Sequence, residues 1–560
     1  MSASPGNATP WWGKPGVAWA LLAGLLLAYN GVTALYANPF SLTQWYDGVQ
    51  YQLLARNRLH GHTEVGDTAH TVGSEGRHPM WRPGLVWVEE GLATWLGSVR
   101  TAAPVASALG TALLEWALAW LAWRAFGPAT CLVVLAAVLA PWPVGIFFLG
   151  LAIGQGPEPW AAAAVMLGLA ILVEAGRQGR GGSALAAGCC AAAAEWFRSG
   201  TLLLFAVPTA VYGLAALWRR DGARLRGAGL ALAGMALVVL GAGMAVPSPV
   251  NKTVVNLLHN FAESDGPFLT EDVPNVGEVT FSMGGYLIVP GTQETANDYA
   301  VRRAHHLDTR ALLAGEGHAL PALYLERLEQ VVSGGAAGLR FMVGEVVLFF
   351  FGVQVLVSLF RRNETSLPAL AVAGGALAYF LGPVVLLRGD QPTHYLLMAL
   401  PLFLMVAARG VVTWGEWAAG FARQRFAAVG PIWLRWRVFV VALLLIPAVC
   451  VTARTYAGVL DILRGYREQA EAEQAAVDAL HLEGKTVACR NMSWFVDRDV
   501  QTALLPYATV PALEKYVRAR GADGILVWRH ETQVFFRATP YGSLRAFDRA
   551  MRKSPVFGPC

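Results

Sequence analysis

The sequence predicts a polytopic α-helical membrane protein, with about eleven spanning helices and a small α/β soluble domain at its C-terminus. Three observations predict it. Of the 560 residues, 55% are hydrophobic and only 14% charged, and the mean hydropathy is +0.44. A water-soluble domain carries roughly 25% charged residues. Apolar runs near the length that crosses the hydrocarbon region, about 20 residues, recur along the chain. Basic residues collect on alternate connections between those runs. The net charge of +5 is modest for this length and does not point to a nucleic-acid partner.

Spans are expected near 16–37, 101–123, 128–150, 158–176, 181–197, 199–218, 227–247, 341–360, 367–387, 395–413 and 436–455. The run from Gly16 to Ala37 is too long for the apolar part of a cleavable signal and is read as the first span. The fifth is short and rich in Ala and Gly. Alternate connections carry Lys14, then Arg124, then Arg177 and Arg180. They continue with Arg219, Arg220, Arg224 and Arg226, then Arg361 and Arg362, then Arg409, Arg423, Arg425, Arg435 and Arg437. The opposite short connections hold almost nothing basic beyond Arg198 and Arg388. Positive segments resist translocation, so the N-terminus is expected in the cytoplasm and the C-terminus outside.

A transmembrane unit, 1–455, then carries outer loops at 38–100 and 248–340, and an outer α/β domain follows at 456–560. In that tail 456–482 has a helical pattern, Thr486–Cys489 and Gly524–Trp528 read as strands, and Pro511–Arg520 as a helix. The six cysteines show no metal-ligand spacing. Cys131, Cys189, Cys190 and Cys450 lie in apolar runs as small buried hydrophobes. Cys489 and Cys560 could pair in an oxidising compartment.

The first outer loop is the most informative segment. In Trp45-Tyr46-Asp47-Gly48-Val49-Gln50-Tyr51 and the residues to Asn57, apolar and aromatic side chains recur at helical spacing. This predicts a helix along the membrane surface, with Trp and Tyr at the interface. Asp47 stands at its start, where a carboxylate caps a helix or serves chemistry at the membrane edge.

The stretch from Asp47 through Ala55-Arg56-Asn57, closing with Gly61-His62, resembles the opening loop of GT-C glycosyltransferases. The likeness is to the branch of protein O-mannosyltransferases and aminoarabinose lipid A transferases. His78-Pro79-Met80-Trp81-Arg82-Pro83-Gly84-Leu85 resembles that family's Pro-containing element before the second span. Further matches follow in order: Gly154-Gln155-Gly156-Pro157-Glu158-Pro159, Ala194-Glu195-Trp196-Phe197-Arg198, the Gly-rich stretch from Asn275 to Tyr286, and Arg388 with His394-Tyr395 and Pro401. The family often has a second acidic residue directly after the Asp, and this chain has Gly48 there.

The resemblance implies transfer of a sugar from a polyprenyl-phosphate-linked donor to a hydroxyl acceptor, which is a lipid, a glycan or a protein. The expected place is the outer face of a bacterial inner membrane. Such transfer needs a base near the acceptor hydroxyl, a role worth about 10²–10⁴-fold, and Asp47 is the candidate. The leaving group is a lipid phosphate, which suits the bidentate fork of Arg. Arg82, Arg198, Arg388, His394 and Tyr395 are the donor-binding candidates, and Glu158, Tyr51 and His78 those for the acceptor or a cation. These residues single out no particular cofactor, and a divalent cation is left open. Each has an ordinary structural alternative. An interfacial Arg snorkels to headgroups, His394 can be structural at a helix start, and Glu158 can cap a helix beside Pro159.

Glu115 falls near the middle of the second span, where a charge costs roughly 2.5–3.5 kcal/mol on insertion scales. It must face the bundle interior, be protonated or find a partner, and Glu345 is a weaker case of the same kind. Asp497-Arg498-Asp499 matches the cation-holding triplet of nucleotide-sugar enzymes, a pattern common by chance. His305-His306 with Asp308 reads as a solvated loop face. Two other functions compete. An O-antigen polymerase or ligase would use arginines of the large loop, such as Arg302, Arg303 and Arg310. A lipid-linked glycan transporter or flippase predicts internal repeats and several mid-membrane polar residues.

Overall fold

The computed structural model describes residues 15–37, 46–59, 83–139, most of 148–245, the strand residues 269–273, 277–282 and 286–288, and isolated residues between 324 and 332. It further describes 343–361, 365–384, 392–425, most of 457–489, 493–504, 510–526 and 544–557. The first span is a helix, α1, over Pro15–Ala37. Two shorter helices follow in the first loop, α2 over Tyr46–Leu59 and α3 over Pro83–Leu96. The bundle continues with α4 (Val99–Phe126), α5 (Pro128–Leu139), α6 (Glu158–Gln178), α7 (Gly181–Ala192), the four-residue α8 (Ala194–Phe197), α9 (Leu202–Trp218) and α10 (Gly222–Ala245). After the second loop come α11 (Glu345–Phe360), α12 (Ser366–Tyr379), which ends in a π-helical turn at Phe380–Val384, and α13 (Pro392–Arg425).

Among the described residues, five helices are long and apolar enough to cross a membrane by length and composition. Four shorter apolar helices fall on other expected spans. The expected span 436–455 lies outside the described residues. Leu25, Leu214, Leu237, Leu240 and Phe360 are exposed on the outside of the bundle. In water such surface would be costly, whereas in lipid it is the solvated face.

Inside, the bundle is closed by small residues. Helix α10 packs along α7, and α6 packs between α7 and α4. Gly188 of α7 lies directly against the Ala231 carbonyl of α10, and a Cβ there would collide with that backbone. Gly234 of α10 meets the Leu185 carbonyl of α7 in the same way. Lipid tails are as apolar as Leu, so helices in a membrane associate through close packing of this kind. Glu115 faces inward as expected. It is buried, and Asn30 of α1 donates from Nδ2 to its Oε2 at 2.6 Å.

Two small sheets lie in the loop and the tail. Strands β1 (Leu269–Val273), β2 (Gly277–Ser282) and β3 (Tyr286–Ile288) form an antiparallel meander across the Gly-rich stretch of the second loop. In the tail, β4 (Thr486–Cys489) is central and pairs in parallel with β5 (Gln501–Leu504) and with β6 (Gly524–Leu526). Parallel neighbours need a crossover, and α14 (Val510–Arg520) supplies the one from β5 to β6. Helix α15 (Leu544–Met551) closes the tail. The strands expected at Thr486–Cys489 and from Gly524 are present, with β5 and the meander in addition. This small core is continuous with the first loop: Tyr51, Leu53, Leu54 and Ala55 of α2 cluster with Val487, Phe495, Val500 and Phe547.

Gly188→Leu is expected to destabilise the bundle by about 1–3 kcal/mol or more, because the side chain must push the α7 and α10 backbones away from each other. Gly182→Ala, with nothing near its Cβ position, is expected to be silent. Thermal unfolding in detergent separates the two.

Candidate active site

One end of the bundle gathers α2, α3, the start of α4, the start of α6 and the short α8. Asp47 lies in the first turn of α2, so the helix expected to begin there does. Its side chain, like those of His394 and Tyr395 in the first turn of α13, falls outside the described residues. So do His78, Arg82 and Arg388 entirely. Tyr51 is described and buried, one turn along α2 from Asp47.

The structure brings Arg198 and Glu158 together. The Arg198 Nη1 donates to the Glu158 Oε1, and both side chains are buried. Glu158 opens α6, where the positive end of the helix dipole favours a carboxylate. Arg198 is the residue that terminates α8. Ion pairs removed from water are held by their mutual attraction, and losing one partner costs about 3–5 kcal/mol.

Aromatic side chains fix this pair's surroundings. The Trp160 ring stacks on Phe197 at 5.7 Å and 10°, and its Nε1 donates to the Ala106 carbonyl at 3.0 Å. Phe197 in turn lies over Gly84 of α3, where a Cβ would come within 2.9 Å of its ring. Trp87 of α3 meets Trp196 edge to face at 5.6 Å. Thus α3 sits on the Arg198 turn with no room for a larger residue at 84.

Three acidic residues have roles not assigned from the sequence. Glu195 accepts from the backbone of Gly200 at 3.2 Å and Leu202 at 3.1 Å, and from the Thr201 hydroxyl at 3.2 Å. It therefore caps the entry to α9. Asp497, the first acid of the triplet, accepts from the Ser98 hydroxyl at 2.6 Å and from the Arg100 backbone at 3.3 Å. It caps the N-terminus of α4 across the chain. Among the described residues no group of three or more metal-ligating side chains is placed to hold an ion.

Glu89 of α3 is the third. It is fully buried, and neither carboxyl oxygen has a hydrogen-bond partner among the described residues. Leu85, Val86, Glu89 and Ala93 share the buried stripe of α3. The signal that finds it is helical spacing over 83–96, which puts this acid in an apolar face. Burial pushes its carboxyl well above the usual range.

No family model matches the sequence, and comparison with curated proteins gave no match. Solved structures do match. ArnT from Cupriavidus metallidurans, crystallised with undecaprenyl phosphate, aligns over 91% of this chain and 90% of its own, at 15% identity and a TM-score of 0.50. The archaeal oligosaccharyltransferase AglB from Archaeoglobus fulgidus, in complex with an inhibitory peptide and a dolichol-phosphate, aligns over 98% of this chain and 74% of its own, at 14% identity and a TM-score of 0.51. Both are GT-C superfamily members, and the fold of this chain is the GT-C membrane fold.

The folded chain keeps a proton on Glu89 that the unfolded chain releases near the ordinary Glu value of about 4.3. The folded state thus binds more protons above that pH, and stability falls as pH rises towards the elevated folded value. Glu89→Gln is expected to flatten this dependence, so that the variant loses less stability than the wild type as pH rises. Thermal unfolding of the detergent-solubilised protein from pH 5 to 8 tests it.

Proposed function

We propose that the chain is a GT-C type glycosyltransferase that moves a sugar from a polyprenyl-phosphate-linked donor to a hydroxyl acceptor, with Asp47 as general base. The observation that carries this reading is the build of one end of a GT-C fold. There the Asp47 helix packs against α3, and α3 packs on Phe197, the residue before Arg198 of the buried Arg198–Glu158 pair. The fold is one in which ArnT was crystallised with undecaprenyl phosphate and AglB with dolichol-phosphate.

In this reading Asp47 takes the proton of the acceptor hydroxyl. The freed oxygen attacks the anomeric carbon, the bond from that carbon to the phosphate oxygen breaks, and the lipid phosphate leaves with the electron pair. Arg198 holds the departing charge together with Arg82, Arg388, His394 and Tyr395. Glu158, Tyr51 and His78 face the acceptor or a cation. The reaction takes place on the outer face of a bacterial inner membrane, where a lipid carrier supplies the activated sugar. The chain divides near residue 455 into the transmembrane unit and the outer domain.

Asp47→Asn should lower transfer by about 10²–10⁴-fold while leaving the binding of undecaprenyl phosphate intact. Arg198→Lys should weaken that binding, because the planar fork is lost. Purified protein in lipid nanodiscs, supplied with a panel of undecaprenyl-phosphate sugars, measures both. Full transfer by Asp47→Asn would remove Asp47 from the base role. Lipid crossing the bilayer with its sugar still attached would favour a flippase.

A further inference from the structure

The segment between β4 and β5 holds two elements of the membrane unit at once. Its residues 493–500 run through a 3₁₀ turn at Ser493–Phe495 and then the acidic triplet. On one side Arg56, in the last turn of α2, donates from Nη1 to the Phe495 carbonyl at 3.0 Å and to the Val500 carbonyl at 3.5 Å. On the other side Asp497 accepts from Ser98 and Arg100 at the start of α4. Ser98 relays the contact inward, since its hydroxyl also accepts from the Thr101 backbone at 3.1 Å.

The turn is itself braced. Arg498 pairs with Asp478, the Gly484 backbone donates to the Asp499 carbonyl at 2.6 Å, and the Gln501 backbone donates to the Lys485 carbonyl at 2.9 Å. Trp494, Phe495, Val496 and Val500 are buried, in one cluster with Tyr51, Leu53, Leu54 and Ala55 of α2. Burial lowers the Arg56 pKa while the charges of Asp497 and Asp499 oppose that shift, so the guanidinium is desolvated beside its anchors.

We propose that this turn is a positioning element for the transfer reaction: through Arg56 it sets the placement of α2, and so of Asp47 at the opposite end of that helix. The inference rests on the glycosyltransferase reading. Asp47 and Arg56 are about two and a half turns apart, some 13 Å along the axis and on opposite faces. Arg56 therefore acts through the helix and not at the reacting atoms. A helix clamped at its far end and along its buried side has little freedom to slide. Misplacing a reacting group by about 1 Å costs about 10²-fold. Capping of α4 by the same turn ties the position of α2 to a membrane-spanning element. The tail thereby fixes the base relative to the bundle.

The test uses the full-length protein in nanodiscs with the undecaprenyl-phosphate sugar panel. Three variants are compared, Arg56→Gln, Arg56→Lys and Asp497→Asn. Arg56→Gln is expected to lower kcat by about 10²-fold, with binding of undecaprenyl phosphate changed less than about twofold. Arg56→Lys, which still donates, should recover some of the loss. Hydrogen–deuterium exchange of the 46–59 amides should speed up in Arg56→Gln and in Asp497→Asn. Should Arg56→Gln not fold, Asp497→Asn carries the same comparison, because it loosens the turn from the α4 side. Faster exchange in α2 with kcat unchanged would overturn the proposal, and so would unchanged exchange in both variants. Should the wild-type protein release no sugar from any donor, the transferase reading falls on its own. The exchange measurement still decides whether the turn clamps α2.

Discussion

A charge taken out of water must find a partner, give up its proton or leave, and this constraint organises the molecule. In hydrocarbon the cost of an isolated ion is highest, so the spans carry few charges. Glu115 lies against Asn30, and Glu158 takes Arg198. Glu89 has no such partner among the described residues, and burial there favours the neutral carboxyl.

The acidic triplet shows how little a short motif fixes. Two aspartates separated by one residue match a cation-holding pattern. In the fold, the side chain of Asp497 caps α4, the backbone carbonyl of Asp499 accepts from Gly484, and Arg498 reaches Asp478. The side chains of Asp497 and Arg498 and the backbone of Asp499 thus go to three different partners. A carboxylate at a helix N-terminus gains from the unsatisfied backbone donors and the dipole there. That local gain accounts for Asp497 without a metal.

Membrane spans are legible in the sequence because hydrocarbon thickness imposes a length on apolar runs. Expected spans such as 16–37 and 158–176 differ from their helices by no more than one or two residues at each end. The α2 helix is legible from its aromatic spacing. Tertiary partnership is not. Ser98 and Asp497 are 399 residues apart, and Arg198 and Glu158 are 40 apart. No local pattern encodes such pairs. β5 is hidden because Gln501-Thr502-Ala503-Leu504 is short and shows no strong alternation; its identity comes from pairing with β4. α3 is hidden behind Pro83 and Gly84, which together look like a turn. Pro at the first position of a helix is in fact favourable, and Gly84 is there for the Phe197 ring.

The Arg198–Glu158 pair also sets a condition on the proposed reaction. An arginine awaiting a phosphate is best left uncompensated, yet a bare guanidinium at this depth would be costly. Pairing with Glu158 removes that cost at rest and leaves the pair itself neutral. A lipid phosphate arriving there would have to compete with the carboxylate for the guanidinium fork. That competition weakens binding of the product phosphate as much as that of the donor, so it favours release after transfer. It also places the acceptor-side candidate and the donor-side candidate in one hydrogen bond. Any shift of Glu158 towards an acceptor hydroxyl would unmask Arg198 for the leaving phosphate. Coupling of that kind needs no metal and no moving domain, only two side chains that share one bond.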